Sequence, residues 1–261
     1  MNNPEVTIYK IGGGIIDNAT ELSEFLELLA QTPGLKVLVH GGGKGASTMM
    51  RELGLTPQLI NGRRVTDAAT LDIVTMFYAG KTNKQVVAEL QRLGINALGL
   101  SGADGNVIQG VKRPVKDVDY GFVGDLLPAS INTELLRQLL SVGITPVLCP
   151  IIHDGQGQLL NTNADTIASA VAMALAGAYT VKLHYCFEKN GVLRNVADEQ
   201  SVIPEINSAT YAELKEQGII ADGMLPKLEN AFVALTQGVN QVIIGHALNI
   251  GKSLHTVLCL N

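Results

Sequence analysis

Apolar residues along this chain come in two alternating spacings. Residues 6–11 form a short, almost wholly apolar run ending in Gly12-Gly13-Gly14, and 19–30 follows with Leu22, Phe25, Leu26 and Leu29 at the three-to-four spacing of one helix face. A second apolar run over 36–40 also opens into glycines, Gly41-Gly42-Gly43. The same reading predicts strands over 97–100, 145–148, 179–183 and 241–244, and helices over 68–79, 83–93, 133–140, 164–175, 211–217 and 228–235. Strands that are apolar at every position are buried on both faces, so the alternation predicts an α/β fold: a three-layer αβα sandwich around a mainly parallel sheet. Residues 105–125 break the pattern with two short β-like runs, Val107-Ile108 and Gly121-Phe122-Val123, around a charged stretch. A hairpin or lid projecting from the sheet is expected there. No low-complexity linker is present, and Ala176-Gly177, after the Ala-rich helix, is the expected domain boundary.

Composition narrows the classes of function. The 261 residues suffice for one large or two closely coupled domains. A net charge of -5, with no basic cluster, excludes broad binding to nucleic acid, while backbone amides remain able to bind small anions. The three cysteines, Cys149, Cys186 and Cys259, form no CxxC pair and suggest thiols in a reducing compartment. No signal peptide or membrane span is apparent, so a cytoplasmic protein is expected.

Two phosphate motifs are nearly present. Gly245 to Ser253 resembles a Walker A loop, but five residues separate its glycines where four are needed, and eight residues after Ser253 leave no room for the rest of that fold. Gly41 to Ala46 fits the looser dinucleotide fingerprint, but no second strand ending in an acidic residue follows at the required distance.

The two glycine loops make better sense together. Adjacent parallel strands that both end in glycines bring two sets of amides to one carboxyl edge of the sheet, where such sheets bind ligands. Lys10 stands at the rim of the first loop. Asn161-Thr162-Asn163-Ala164-Asp165 carries three polar side chains at alternate positions before a helix, more than one N-cap requires. Lys227 opens another helix, where a cation opposes the macrodipole and is better explained by a ligand.

These residues carry a resemblance. Lys10-Ile11-Gly12-Gly13, His40-Gly41-Gly42-Gly43, Asn61-Gly62-Arg63-Arg64-Val65-Thr66, Asn161 to Asp165 and Asp222-Gly223-Met224-Leu225-Pro226-Lys227 are similar, in order and over nearly the whole chain, to the motifs of the amino acid kinase superfamily. They most resemble its N-acetylglutamate kinase branch. The resemblance implies transfer of phosphate from ATP, with Mg2+ carried on the nucleotide, to the side-chain carboxylate of N-acetyl-L-glutamate in arginine biosynthesis. N-succinyl-L-glutamate, another amino-acid substrate, or a non-catalytic sensor are the alternatives. A carboxylate is already an anionic nucleophile near pH 7, so no general base is needed and the burden falls on charge stabilisation.

By the same resemblance, Lys10 and Lys227 flank the transferred phosphoryl and Asp165 holds both ammonium groups. Gly12, Gly13 and Gly43 supply amides, Gly42 and Gly43 hold the acceptor carboxylate, and Arg64 with Asn161 binds the α-carboxylate. No protein metal ligand is implied. Residues 1–176 would bind the acylglutamate and dimerise, and 177–261 would bind nucleotide through Lys189, Gly191, Ile219, Ile220 and Ala221. The related kinases carry a short Thr-Asp-Val-x-Gly-Val-like turn after the strand at 179–183, whereas 184–193 reads here as a longer loop without that Asp, with Lys182 or Lys189 as substitute phosphate contacts. Lys112, Arg113 and Lys116 in the expected lid would meet a succinyl carboxylate. Arginine feedback accompanies an N-terminal helical extension in the family, and the first strand begins after five residues here. An arginine-insensitive homodimer is therefore expected.

Overall fold

The computed structural model describes residues 3–60, 62–220 and 224–260. The chain opens with strand β1 (Glu5–Ile11), the short helix α1 (Gly13–Asp17), α2 (Ala19–Gln31), β2 (Leu35–His40) and α3 (Gly43–Glu52). A hairpin of β3 (Leu59–Ile60) and β4 (Arg63–Arg64) leads to α4 (Ala68–Thr75), a π-helical turn over Met76–Thr82, and α5 (Asn83–Arg92). Then follow β5 (Ala97–Leu100), β6 (Val111–Lys112), β7 (Gly124–Asp125), α6 (Thr133–Ser141), β8 (Thr145–Leu148), β9 (Ile151–His153), β10 (Leu159–Asn161) and α7 (Ala164–Leu175). The last part comprises β11 (Thr180–Phe187), β12 (Glu205–Ile206), α8 (Ser208–Glu216), α9 (Met224–Thr236), β13 (Gln241–His246) and β14 (Thr256–Leu258).

Eight strands form one sheet in the order β12-β14-β13-β11-β1-β2-β8-β5. All neighbours are parallel except β13 and β14. The sheet crosses the expected 176/177 boundary without a break, four strands coming from either side. Period-two alternation sorts its side chains into two layers. Val6, Ile8, Val37, Val39, Leu148 and Leu183 join residues of α6, α7 and α9 in one core, whereas Tyr9, Ile11, Leu38 and Val147 join Phe25, Leu26 and Leu29 of α2 and Val86 and Leu90 of α5 in another. This is the three-layer α/β sandwich that the apolar pattern predicts. The alternation also aims the strand ends: Lys10 follows Val6 and Ile8 toward α7, while His40 follows Leu38 toward α5.

Three expectations are corrected. The helices expected at 68–79 and 83–93 are one continuous run from Ala68 to Arg92, begun by the Asp67 side chain accepting from Thr70 N at 2.8 Å and joined by the π-turn. The strand expected to stop at residue 183 continues to Phe187, with His184, Tyr185 and Cys186 buried, so the irregular segment begins only at Glu188 and runs to the next strand at Glu205. The 105–125 segment does form a hairpin, but from Val111–Lys112 and Gly124–Asp125. Val107 and Ile108 lie in the core, and Gly121 and Val123 bridge to Thr66 and Asn161, which pins this segment as a wall rather than a projecting lid. Among the described residues no helix is long and apolar enough to cross a membrane.

Candidate active site

Both glycine loops end in helices that lack a side-chain cap. Gly12 caps α1 and Gly42 caps α3, and a glycine has no side chain with which to cap the first amides. Strands β1 and β2 are neighbours, with Ile11 beside His40, so the loops meet at the carboxyl edge. A Cβ placed on Gly13 would stand 3.9 Å from Gly43 N and 4.0 Å from Lys44 N, which measures how closely the two backbones approach. Gly42 takes a φ of +144°, and a Cβ there would press to 3.2 Å from the Tyr78 ring. Glycine is thus required at position 42 by backbone angle and by space.

Lys10 and α7 share one face of the sheet, and this brings the charges together. Asp165, in the first turn of α7, stands between two ammonium groups: Oδ1 is 2.7 Å from Lys10 Nζ and Oδ2 is 3.5 Å from Lys227 Nζ, in the first turn of α9. Burial alone would raise the Asp165 carboxyl, but Lys10 and then Lys227 outweigh it and hold it below the usual range. Burial lowers the Lys227 ammonium, with Asp165 opposing the shift and Lys10 adding to it. The helix cap itself is Asn163, whose side chain accepts from Asp165 N at 2.7 Å, so Asp165 and Asn161 are left for other work.

The cleft beside these charges has a volume of about 250 Å³ and is lined by Lys10, Gly13, Gly42, Gly43, Arg64, Asn161 and Asp165 among the expected site residues. Arg64 is buried, its Nη2 donating to Gly43 O and Ser47 Oγ at 2.8 Å each and its Nη1 to Met50 Sδ at 3.2 Å. Anchored on α3, its guanidinium is fixed at the second glycine loop. Asn161 Nδ2 donates to Thr66 Oγ1 at 3.1 Å, and Thr66 Oγ1 donates to Arg64 O, which ties Arg64 and Asn161 into one unit. Gly12 lies below the rim, where a Cβ would stand 3.8 Å from Lys10 Nζ.

The residues expected to bind nucleotide lie outside this cleft lining. Lys189 Nζ is 3.0 Å from Glu199 Oε1, and Gly191 packs against Thr256 and Val202 so closely that a Cβ would collide. Ile219 and Ile220 close the turn after α8, their amides directed at Leu214 O and the Ile220 side chain in the core. Ala221, like Asn61, Asp222 and Gly223, lies outside the described residues. Lys182 pairs with Glu5 at 2.8 Å at the amino end of the sheet, the wrong edge for a phosphate contact. The Gly245–Ser253 decoy runs from β13 into a single 3-10 turn, with no P-loop helix.

The cleft also contains residues that sequence reasoning missed. Tyr78 covers Gly42 and neighbours Arg64, and its position in the middle of a helical run gave no signal. Arg113 reaches the lining with Asp125, its Nε donating to Asp125 Oδ1 at 3.0 Å, whereas Lys112 lies over the Phe122 ring and does not line the cleft. Arg113 was expected, with Lys112 and Lys116, as a donor to a succinyl carboxylate, and of the three Arg113 alone is in the cleft lining.

A cleft that joins two uncapped glycine loops to a lysine-carboxylate-lysine cluster is suited to bringing two anions together, and comparison with known proteins agrees. The model of the amino acid kinase family matches residues 5–246. The chain belongs to the amino acid kinase family. Within the family, an acetylglutamate kinase of Phocaeicola vulgatus is 51% identical over 254 residues, covering 97% of this chain and 98% of that protein. An acetylglutamate kinase of Methanopyrus kandleri is 39% identical over 241 residues, covering 91% and 93%. Among solved structures, that of smu.665 from Streptococcus mutans UA159 superposes with a TM-score of 0.77 at 27% identity, covering 98% of this chain and 99% of that one. The chain is thus a kinase with an α/β amino acid kinase fold, and ATP use follows from membership.

Proposed function

We propose that this protein transfers the γ-phosphoryl group of ATP to the side-chain carboxylate of N-acetyl-L-glutamate, forming an acyl phosphate in arginine biosynthesis. One observation carries the reading: Asp165 holds Lys10 and Lys227 at 2.7 and 3.5 Å beside a cleft that also contains Arg64 and both glycine loops. The acceptor carboxylate is ionised near neutral pH, so no proton need be removed. The chain must instead hold two anions together and stabilise charge on the transferred group. Lys10, at the end of β1, and Lys227, in the first turn of α9, both face that charge, and the amides of Gly12 and Gly13 and of Gly42 and Gly43 add fixed dipoles. Arg64 and Asn161 take the α-carboxylate, for which a guanidinium is suited.

Both oxygens of Asp165 are engaged by lysines, and among the described residues no group of three or more His, Cys, Asp or Glu could hold a metal. This donor set suits Mg2+ that travels on the ATP phosphates and keeps its waters. Lys189, Gly191, Ile219, Ile220 and Ala221 bind the nucleotide in this reading, and the enzyme is a cytoplasmic homodimer.

The test is ATP-dependent formation of a hydroxamate when hydroxylamine traps the acyl phosphate. Product with N-acetyl-L-glutamate is expected, and ADP release or hydroxamate at background level would overturn the reading. Sedimentation at a mass other than a dimer would overturn the assembly. A second reading, N-succinyl-L-glutamate, is favoured by Arg113: its Nη1 is buried without a hydrogen-bond partner in a side chain that lines the cleft beside Val123. Turnover of the succinyl compound well above that of the acetyl compound would decide for it.

A further inference from the structure

We propose that His40 and Asn83 form a positioning device that fixes the second glycine loop, and that the π-turn exists to bring Asn83 to it. Neither residue lines the cleft. His40, the last residue of β2, has no exposed surface. Its Nδ1 is 2.8 Å from Gly41 O and its Nε2 is 3.1 Å from Asn83 Nδ2. Asn83 Nδ2 also donates to Val147 O at 3.0 Å, and Asn83 Oδ1 accepts from Lys84 Nζ at 3.1 Å, which in turn donates to Gly99 O.

These contacts assign one protonation state. Gly41 O can only accept, so the imidazole proton is on Nδ1 and Nε2 accepts from the Asn83 amide. The amide spends its two hydrogens on His40 and Val147 and its oxygen on Lys84, which leaves no atom of the pair unmatched. Protonation at Nε2 would set two donors against each other. Burial, with the Lys84 charge adding to it, disfavours that state in any case. The result is a neutral ring that holds the Gly41 carbonyl while Gly41 N donates to Ile11 O at 3.1 Å, joining the loop to β1. The Gly41 peptide is thus clamped on both sides, immediately before the residue whose φ is +144°.

The π-turn supplies the partner. In an α-helix, positions 78 and 83 would differ by about 140° around the axis. The wider π-turn, at about 80° per residue, reduces this to roughly 40°. Tyr78 at Gly42 and Asn83 at His40 therefore face the same loop and the strand end that feeds it. Helical bulges of this kind recur at functional sites.

The experiment compares wild type with Asn83→Leu, which cannot donate, and Asn83→Asp, which is nearly isosteric. Imidazole 15N shifts of the intact protein at pH 7 should show Nδ1 protonated and Nε2 bare in wild type, and His40 should become protonated at Nε2 in Asn83→Asp. Hydrogen exchange over residues 41–47 should quicken at least about tenfold in Asn83→Leu while 5–11 keeps its protection. These two arms need no turnover, so they are read independently of the functional reading on which the next arm rests. KM for the acylglutamate should rise about tenfold or more, with KM for ATP within about twofold. A wild-type His40 protonated at Nε2, or unchanged exchange over 41–47 in both variants, would overturn the proposal. Equal rises in both KM values would show a general loss of structure and overturn it too.

Discussion

Replacing Asp165 by Asn removes the charge between two ammonium groups while keeping the shape. At an effective dielectric of about 20, the contacts at 2.7 and 3.5 Å correspond to gross attractions of about 6 and 5 kcal/mol. Desolvation offsets much of this, and breaking a buried pair by removing one partner costs about 3–5 kcal/mol. The side chains of Asp165 and Lys227 are 22% and 31% exposed, so screening reduces the figure to about 2–4 kcal/mol. Without the carboxylate the lysines repel and part, which should lower kcat about 30- to 1,000-fold. Affinity for ATP should hold or improve, since two uncompensated cations attract phosphates in the ground state. Single-turnover kinetics with a nucleotide-binding titration separates these effects, and circular dichroism confirms folding. A folded Asp165→Asn enzyme with kcat within about threefold of wild type would refute the role given to the cluster.

Arg64→Lys loses both the planar fork and its anchors at Gly43 and Ser47, and should raise KM for the acylglutamate by about 30-fold or more with a smaller change for ATP, measured by steady-state kinetics. Gly42→Ala must accommodate a φ of +144° and a Cβ 3.2 Å from Tyr78, which should cost about 1–3 kcal/mol in urea unfolding and raise the same KM. Burial lowers the Lys227 ammonium, so kcat should fall as pH rises through a value below the ordinary 10.5; in Lys227→Arg that alkaline limb should vanish at reduced activity. Burial holds His40 down to about 4 against the ordinary 6.5, so below 6.5 the unfolded chain takes up a proton that the fold refuses. The His40 share of stability should be full above that value and fall by up to about 3 kcal/mol toward pH 4, with buried His184, also held down, adding a loss of the same sign, and urea midpoints that stay level between pH 7 and 5 would contradict this.

What the sequence determined by itself is what neighbouring residues decide. Apolar runs and glycines fixed β1, β2 and the loops after them, because strand burial and tight turns are properties of a few consecutive residues. The spacing of Lys10, Asp165 and Lys227 in ordered motifs was legible too, although their approach to within 3.5 Å depends on α7 and α9 packing on the face toward which Lys10 points. Other features belong to the tertiary structure alone. His184-Tyr185-Cys186 looks like a loop by composition and is strand because β1 and β13 cover it on both sides. The switch to π hydrogen bonding at Met76–Thr82 has no local signature, since neither proline nor a cap marks it. The wall at 120–123 likewise came from contacts with Thr66 and Asn161, residues too distant in sequence for any period to join them.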